Sequence, residues 1–233
     1  MSTAAYEARR GQIETYFDRT AAEAWSRLTS TAPVGRIRAT VRAGRDRMRA
    51  TLLDGLPQDM RGLRLLDAGC GTGAFAVEAA RRGADVLAID LSPTLVSLAQ
   101  ERAPRDLGDG SIEFKVGDMS DAGLGRFDHV VAMDSLIHYR AQDVVRLLGD
   151  IAARTSASIR FTFAPKTAAL TAMWAVGRLF PRGDRAPAIE PVAEMKLRAA
   201  IAALPALAHW RVASTARIAS GFYTSQAMEL CRA

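Results

Sequence analysis

The stretch Leu63-Arg64-Leu65-Leu66-Asp67-Ala68-Gly69-Cys70-Gly71-Thr72-Gly73 restricts the fold more than any other part of the chain. Its first four residues form the apolar run of a short buried strand, and Asp67 closes it. Three glycines follow at alternate positions, and residues 74–82 then have helical character. Glycine lets the main chain turn tightly and lets a ligand approach it closely. A helix that follows presents N–H groups with no partner inside the helix. A glycine cluster alone is also just a tight turn between strand and helix. The acid two residues before the first glycine narrows the reading. A dinucleotide fingerprint, G-x-G-x-x-G, usually has an apolar residue where Asp67 stands, and its third glycine comes one residue later than here.

Length and composition set the frame for this motif. At 233 residues and 49% hydrophobic content, the chain is sized for one α/β domain with an appendage. We divide it into an N-terminal helical arm, 1–57, and a ligand-binding domain, 58–233, with 165–191 as an insertion on the substrate side. The net charge of +6 is carried by arginine, since Lys115, Lys166 and Lys196 are the lysines. That balance permits nucleic acid, an anionic membrane or an acidic small molecule as partner; a GC-rich genome, which favours arginine codons, gives the same balance. Two cysteines make no disulfide framework, and a reducing, cytoplasmic compartment is expected. The N-terminal stretch lacks the apolar run of a secretory signal, and no uncharged apolar run is long enough to span a bilayer.

Before the motif the pattern is helical. After Pro33, residues Val34, Ile37, Val41, Met48 and Leu52 mark an apolar face, and Arg38, Arg42, Arg45 and Arg49 a guanidinium stripe. The stripe is either a solvated face or a ligand-facing one, and these helices are placed to cover a site as a lid. From 63 to 163 strands and helices alternate: strands at 63–67, 85–90, 112–116, 127–133 and 157–163, helices at 74–82, 93–103 and 141–153. Alternation of this kind implies a parallel sheet with right-handed crossovers. The rhythm breaks at 165–191, where 168–180 is helical. A helix at 192–204 and strands at 210–215 and 221–231 complete the chain.

Ligands of open α/β sheets bind outside the carboxyl ends of the strands. The first end carries Asp67, Gly69, Cys70 and Gly71; the second Asp90 and Leu91; the third Asp118 and Met119. The fourth carries Met133, Asp134 and Ser135, then His138 and Tyr139. One acid at a strand end is commonly a turn or a helix cap. Three acids at three successive ends point to a ligand. Asp90 suits the two hydroxyls of a ribose, because a carboxylate is a double acceptor. Asp118 beside Met119 suits an adenine amino group and ring face. Of the three histidines, His129 falls in a strand and His209 in a late turn. His138 follows the fourth strand and is the candidate base or orienting donor. No zinc-ligand spacing or serine nucleophile elbow is present.

The D-x-G-x-G-x-G stretch with Asp90 and Asp118 resembles the motifs of class I methyltransferases that use S-adenosylmethionine, over about residues 60–165. The resemblance implies a seven-stranded, mostly parallel Rossmann-like sheet with helices on both faces. It implies Asp90 on the ribose, Asp118 and Met119 at the adenine, and the glycine loop with Asp67 around the methionine portion. Nucleic-acid amino-methyltransferases commonly carry an Asn-Pro-Pro-Tyr-like tetrapeptide after the fourth strand. Asp134-Ser135-Leu136-Ile137 stands there instead, so no nucleic-acid partner is expected.

Further stretches narrow the family. Tyr16-Phe17-Asp18, Trp25-Ser26-Arg27-Leu28, Arg42-Ala43-Gly44-Arg45, the run from Met133 to Tyr139, and Phe161-Thr162-Phe163-Ala164-Pro165 look like the magnesium-protoporphyrin IX O-methyltransferases of bacteriochlorophyll synthesis. Thr29 stands where oxygenic relatives tend to have a tyrosine, which makes Tyr16 the nearer candidate for a catalytic aromatic beside His138. The family implies methyl transfer to one propionate of magnesium protoporphyrin IX, with the magnesium brought by the substrate and no protein metal site. Such a substrate needs an apolar surface with cations at its edge. Met173, Trp174, Phe180 and Tyr139 are expected for the surface; Arg38, Arg42, Lys166 and Arg178 for the edge. A magnesium chelatase subunit and the face of an anionic membrane are possible partners. An NAD-dependent oxidoreductase, a methyltransferase for another small acidic or quinone-like substrate, and a non-catalytic tetrapyrrole carrier are the alternatives.

Overall fold

The computed structural model describes residues 4–20, 35–166 and 189–233. Met173, Trp174, Trp25, Thr29 and the helix expected at 168–180 lie outside the described residues. Seven strands form one sheet: β1 Arg64–Ala68, β2 Asp85–Asp90, β3 Ser111–Val116, β4 Phe127–Ala132, β5 Thr155–Phe163, β6 Trp210–Ser220 and β7 Tyr223–Arg232. Their order is β3-β2-β1-β4-β5-β7-β6. The first five are parallel, and β7 runs antiparallel to both β5 and β6. The strand order therefore reverses between β1 and β4, and the crevice expected at such a switch point opens above their carboxyl ends.

The described helices are α1 Ala4–Thr15, followed by a π-helical turn Tyr16–Thr20, α2 Arg36–Asp54, α3 Ala74–Arg81, α4 Pro93–Arg102, α5 Ala141–Ala152 and α6 Glu194–Ala203. Ser92 caps α4, its hydroxyl accepting from the Leu95 N–H at 3.2 Å, with Pro93 in the first turn.

The seven-stranded, mostly parallel sheet with helices and an N-terminal helical segment agrees with the sequence expectation. The largest difference is β6, which runs to Ser220 where the apolar pattern ends at Thr215. An edge strand with little buried surface carries no alternation to read, and its length is set by the ladder to β7. Val192, expected inside a helix, instead bridges to Pro165, and its N–H donates to the Ala164 carbonyl at 2.8 Å.

Helix α2 is part of the core. Gly44, Met48, Leu52 and Leu53 are buried along one side, and Met48 and Leu52 are 0% and 1% exposed. Burial of two such side chains favours the docked helix by about 1.5–3 kcal/mol each. Their cluster includes Leu65 of β1 and Val86 of β2, so the division at residue 57 separates segments that share a core. With that side fixed inward, the arginine-bearing side of α2 is fixed as well.

Candidate active site

A cleft of about 520 Å³ opens at the switch point. Gly69, Gly71 and Gly73 have φ of 86°, 54° and 78°, a region that favours glycine. The N–H groups of Gly69 and Cys70 both donate to the Ile89 carbonyl at 2.8 Å, which ties the loop to β2. A Cβ on Gly69 would collide with the Ser135 side chain, so the β1 and β4 loops touch there.

Asp90 is held by the backbone at the end of β2. One oxygen accepts from the Gly71 N–H at 2.9 Å and the other from the Ser92 N–H at 3.0 Å. Each oxygen keeps a second acceptor direction, the pattern that a pair of vicinal hydroxyls requires. Burial raises its carboxyl above the ordinary aspartate value. Asp67 is 1% exposed and lines the same cleft. One of its buried oxygens has no hydrogen-bond partner. Burial first, and the nearby Asp90 second, push its carboxyl up to about 7. A buried acceptor lacking a donor, at the floor of a cleft, fits the ammonium of an amino-acid portion.

Asp118 also lines the cleft, but the N-terminal segment has already engaged it. The Tyr6 hydroxyl donates to it at 3.0 Å, Arg10 at 3.1 Å and the Ser120 N–H at 2.8 Å. Burial acts to raise its carboxyl, and these donors outweigh burial and hold it below the ordinary value. Asp118 thus anchors the arm as well as flanking the expected adenine position. Tyr6 stacks on Tyr139, with ring centroids 5.2 Å apart. Asp18 fastens the other end of the segment: it accepts from the Thr94 N–H at 3.1 Å and its hydroxyl at 2.6 Å, at the first turn of α4.

The cleft joins Asp67, Gly69, Cys70, Gly71, Asp90, Leu91, Asp118, Met119, Met133, His138, Tyr139 and Arg42 of the residues expected from sequence. His138 is 6% exposed, in a short 3₁₀ turn after β4, with its ring 5.8 Å from that of Phe17. Burial raises the Cys70 thiol, so it is not a thiolate.

Three expected residues fall elsewhere. Tyr16 is half-buried, edge-on to Phe17 at 5.2 Å, and does not line the cleft. Ile13 and Phe17, four residues apart, share the face that does. Arg38 is exposed one turn before the part of α2 that borders the cleft, and Lys166 is exposed beyond β5. The cationic wall consists of Arg42, Arg45 and Arg49, spaced one turn apart on α2. Sequence placed Arg45 and Arg49 on the guanidinium stripe without assigning them to the site; their i, i+3, i+7 offsets were the available signal. The cleft therefore carries carboxylates at the ends of β1 to β4 and guanidiniums on α2, of which Arg45 is paired with Asp134 and Arg49 with Asp46; His138 lies on the wall.

Residues 132–232 match the family model described as magnesium-protoporphyrin IX methyltransferase C-terminus, and 65–156 match a general methyltransferase domain. The chain is 51% identical over 221 residues to a magnesium-protoporphyrin O-methyltransferase of Rhodobacter capsulatus, covering 94% of this chain and 95% of that one. It is 31% identical to the enzyme of the same name from Synechocystis, over 72% and 74% of the two chains. The crystal structure of magnesium protoporphyrin IX methyltransferase from Synechocystis PCC 6803 with bound SAH superimposes with a TM-score of 0.81. That match has 27% identity and covers 96% of this chain and 100% of that one.

Proposed function

Because the chain belongs to the magnesium-protoporphyrin O-methyltransferase family, we propose that its cleft transfers a methyl group from S-adenosylmethionine to a propionate carboxylate of magnesium protoporphyrin IX. The products are the monomethyl ester and S-adenosylhomocysteine. One observation carries the reading of the site: a backbone-held Asp90 and a partnerless Asp67 oxygen face a wall of arginines across a single cleft. The first pair suits a ribose and an ammonium; the second suits an anionic acceptor.

S-adenosylmethionine supplies an electrophilic sulfonium methyl group. Asp90 holds the ribose hydroxyls, and Asp67 with the glycine loop holds the amino-acid end. Leu91 and Met119 flank the base. A propionate is already ionised near neutral pH, so the chain need not supply a strong base. His138 acts as a donor that orients the acceptor carboxylate beside the cofactor. Positioning and exclusion of water account for most of the acceleration, because the two opposite charges cancel as the new bond forms. Ile13, Phe17 and Phe75 provide apolar wall, and the α1 segment closes over the cofactor end through Tyr6, Arg10 and Asp18. The magnesium travels with the porphyrin.

Two partner proposals accompany this reading. A magnesium chelatase subunit hands over the poorly soluble substrate. Exposed Ile37 and Phe222, 58% and 59% accessible, touch an anionic membrane from the cytoplasmic side; Gly221 packs against Thr40, which brings their two segments together. No described helix is long and apolar enough to cross a membrane.

The deciding experiment incubates the protein with S-adenosylmethionine and magnesium protoporphyrin IX and detects a 14-dalton gain by mass spectrometry (about one methylene). Titration with S-adenosylhomocysteine and with NADH runs alongside. Binding of NADH and absence of ester would overturn the proposal.

A further inference from the structure

Of the cleft carboxylates that the scheme above leaves unused, Asp134 is the one on which four elements converge. Asp134 follows Met133 at the end of β4. Among the described residues it is the non-glycine residue with a positive φ, 54°. Its side chain is 5% exposed. It accepts from Arg45 Nη1 at 2.6 Å, from the Tyr223 hydroxyl at 3.1 Å to each oxygen, from the Ser225 hydroxyl at 3.1 Å and from the Thr162 hydroxyl at 3.2 Å. Its own N–H donates to Thr162 Oγ1 at 2.7 Å. A left-handed backbone at a residue with a Cβ is unfavourable and persists where the surroundings over-determine it, most often at a functional site. Gly44 makes the convergence possible. A Cβ there would lie 2.5 Å from the Tyr223 ring, so α2 sits flush on β7 and Arg45 reaches the end of β4.

A staple between α2 and the sheet would be satisfied by any buried pair. This pair lies on the wall of the cleft, one residue past Met133, and the Arg45 side chain keeps 18% exposure. We infer that Arg45 orients the propionate carboxylate that receives the methyl group, and that Asp134 is the positioning residue that fixes Arg45. The inference rests on the reading that a propionate is the acceptor.

A guanidinium carries five donor hydrogens in one plane, enough to serve Asp134 and a substrate carboxylate together. Asp134 fixes that plane. It also cancels the charge. In the transfer, a carboxylate oxygen forms a bond to the methyl carbon while the carbon–sulfur bond breaks. The electron pair of that bond stays on sulfur, and no proton moves. The nucleophile loses its negative charge on the way, so a lone cation gripping it would stabilise the starting state more than the transition state. A guanidinium already neutralised by Asp134 gives direction with less of that penalty. Arg42 and Arg49, one turn to either side on α2, border the same wall, and Arg49 is paired there with Asp46 at 2.9 Å.

The test measures binding and rate separately. With S-adenosylhomocysteine present, magnesium protoporphyrin IX and its dimethyl ester are titrated into wild type, Arg45→Ala and Arg45→Lys, read by porphyrin fluorescence. Arg45→Ala should bind the dicarboxylate at least tenfold more weakly, with dimethyl ester and S-adenosylhomocysteine affinities within threefold of wild type. Equal loss for both porphyrins, or loss for neither, would overturn the inference. Should Arg45→Ala fail to fold, Arg45→Lys, which keeps the charge and loses the fork, carries the same comparison with a smaller expected loss. Asp134→Asn keeps the shape and tolerates the left-handed backbone. It should lower kcat at least tenfold without raising KM for the porphyrin. A raised KM with unchanged kcat would remove the positioning role. If wild type itself forms no ester, the function reading has failed and this inference falls with it; ester formed by wild type together with either overturning result above strikes this inference alone.

Discussion

Replacing Asp90 by alanine tests the cofactor assignment at its most defined point. The carboxylate accepts one backbone N–H on each oxygen, from Gly71 at 2.9 Å and Ser92 at 3.0 Å. Each oxygen then has one direction left for a ribose hydroxyl. Asp90→Ala deletes both ribose acceptors. A hydrogen bond to a charged group contributes about 1.5–3 kcal/mol net. Water replaces part of the lost bonding in the enlarged site, so we expect the total to stay within that range and not double it. At about 1.4 kcal/mol per decade, affinity falls roughly ten- to 150-fold.

The same substitution strands the Gly71 and Ser92 N–H groups, at a cost of about 1–3 kcal/mol where water cannot reach them. A lower melting temperature is therefore expected, and cofactor affinity must be measured well below it. Isothermal titration with S-adenosylhomocysteine on wild type and Asp90→Ala, with thermal unfolding of both, separates the two effects. Asp90 is remote from the transferred methyl in the proposed arrangement, so turnover at saturating S-adenosylmethionine should largely recover. A dissociation constant within threefold of wild type, in a variant that unfolds cooperatively, would refute the ribose assignment.

Three further outcomes follow from the same geometry. His138→Ala should lower turnover about 5- to 30-fold, the worth of one or two kcal/mol of orienting hydrogen bond, while S-adenosylhomocysteine affinity stays put; wild-type turnover at saturating substrates would make His138 structural. The Asp67 carboxyl, raised from 3.8 to about 7 in the folded protein, binds more protons folded than unfolded. Stability of the cofactor-free protein should therefore fall as pH rises from about 4 to 7 and level off above, while S-adenosylhomocysteine binds up to about tenfold tighter at pH 8 than at pH 6; Asp67→Asn should abolish that pH dependence, and a flat wild-type profile would count against the ammonium assignment. Asp18→Ala, which removes the acceptor at the start of α4, should speed hydrogen exchange in 4–20 and leave β1 to β5 unchanged; exchange in 4–20 that is slow in wild type and unaltered in the variant would show a rigid scaffold in place of a lid.

The parts of this molecule that sequence made legible are those in which one local pattern meets one physical demand. Alternating glycines after an acid demand a turn and a ligand, and continuous apolar runs demand buried parallel strands. Asp67, Asp90, Asp118 and His138 were readable because a parallel sheet puts strand ends on one side. Tyr16 was misplaced because the face that enters the cleft is that of Ile13 and Phe17, four residues apart, and Tyr16 stands one position off it. Arg38 was misplaced because a periodic stripe gives a face and no depth along it. Asp134 stood among the strand-end residues, yet nothing local distinguishes it from a turn. Its partners, Arg45, Thr162, Tyr223 and Ser225, lie 89, 28, 89 and 91 positions away in the chain. They meet because Gly44 lets α2 close on β7 and because β7 returns antiparallel beside β5. A pattern built from four elements exists only once all four are packed. The cofactor half of the cleft is thus encoded by short motifs, whereas the acceptor half is encoded by packing. Substitution at Gly44 should consequently disturb porphyrin binding before it disturbs S-adenosylhomocysteine binding, because a methyl group there moves the arginine wall and leaves the glycine loop where it is.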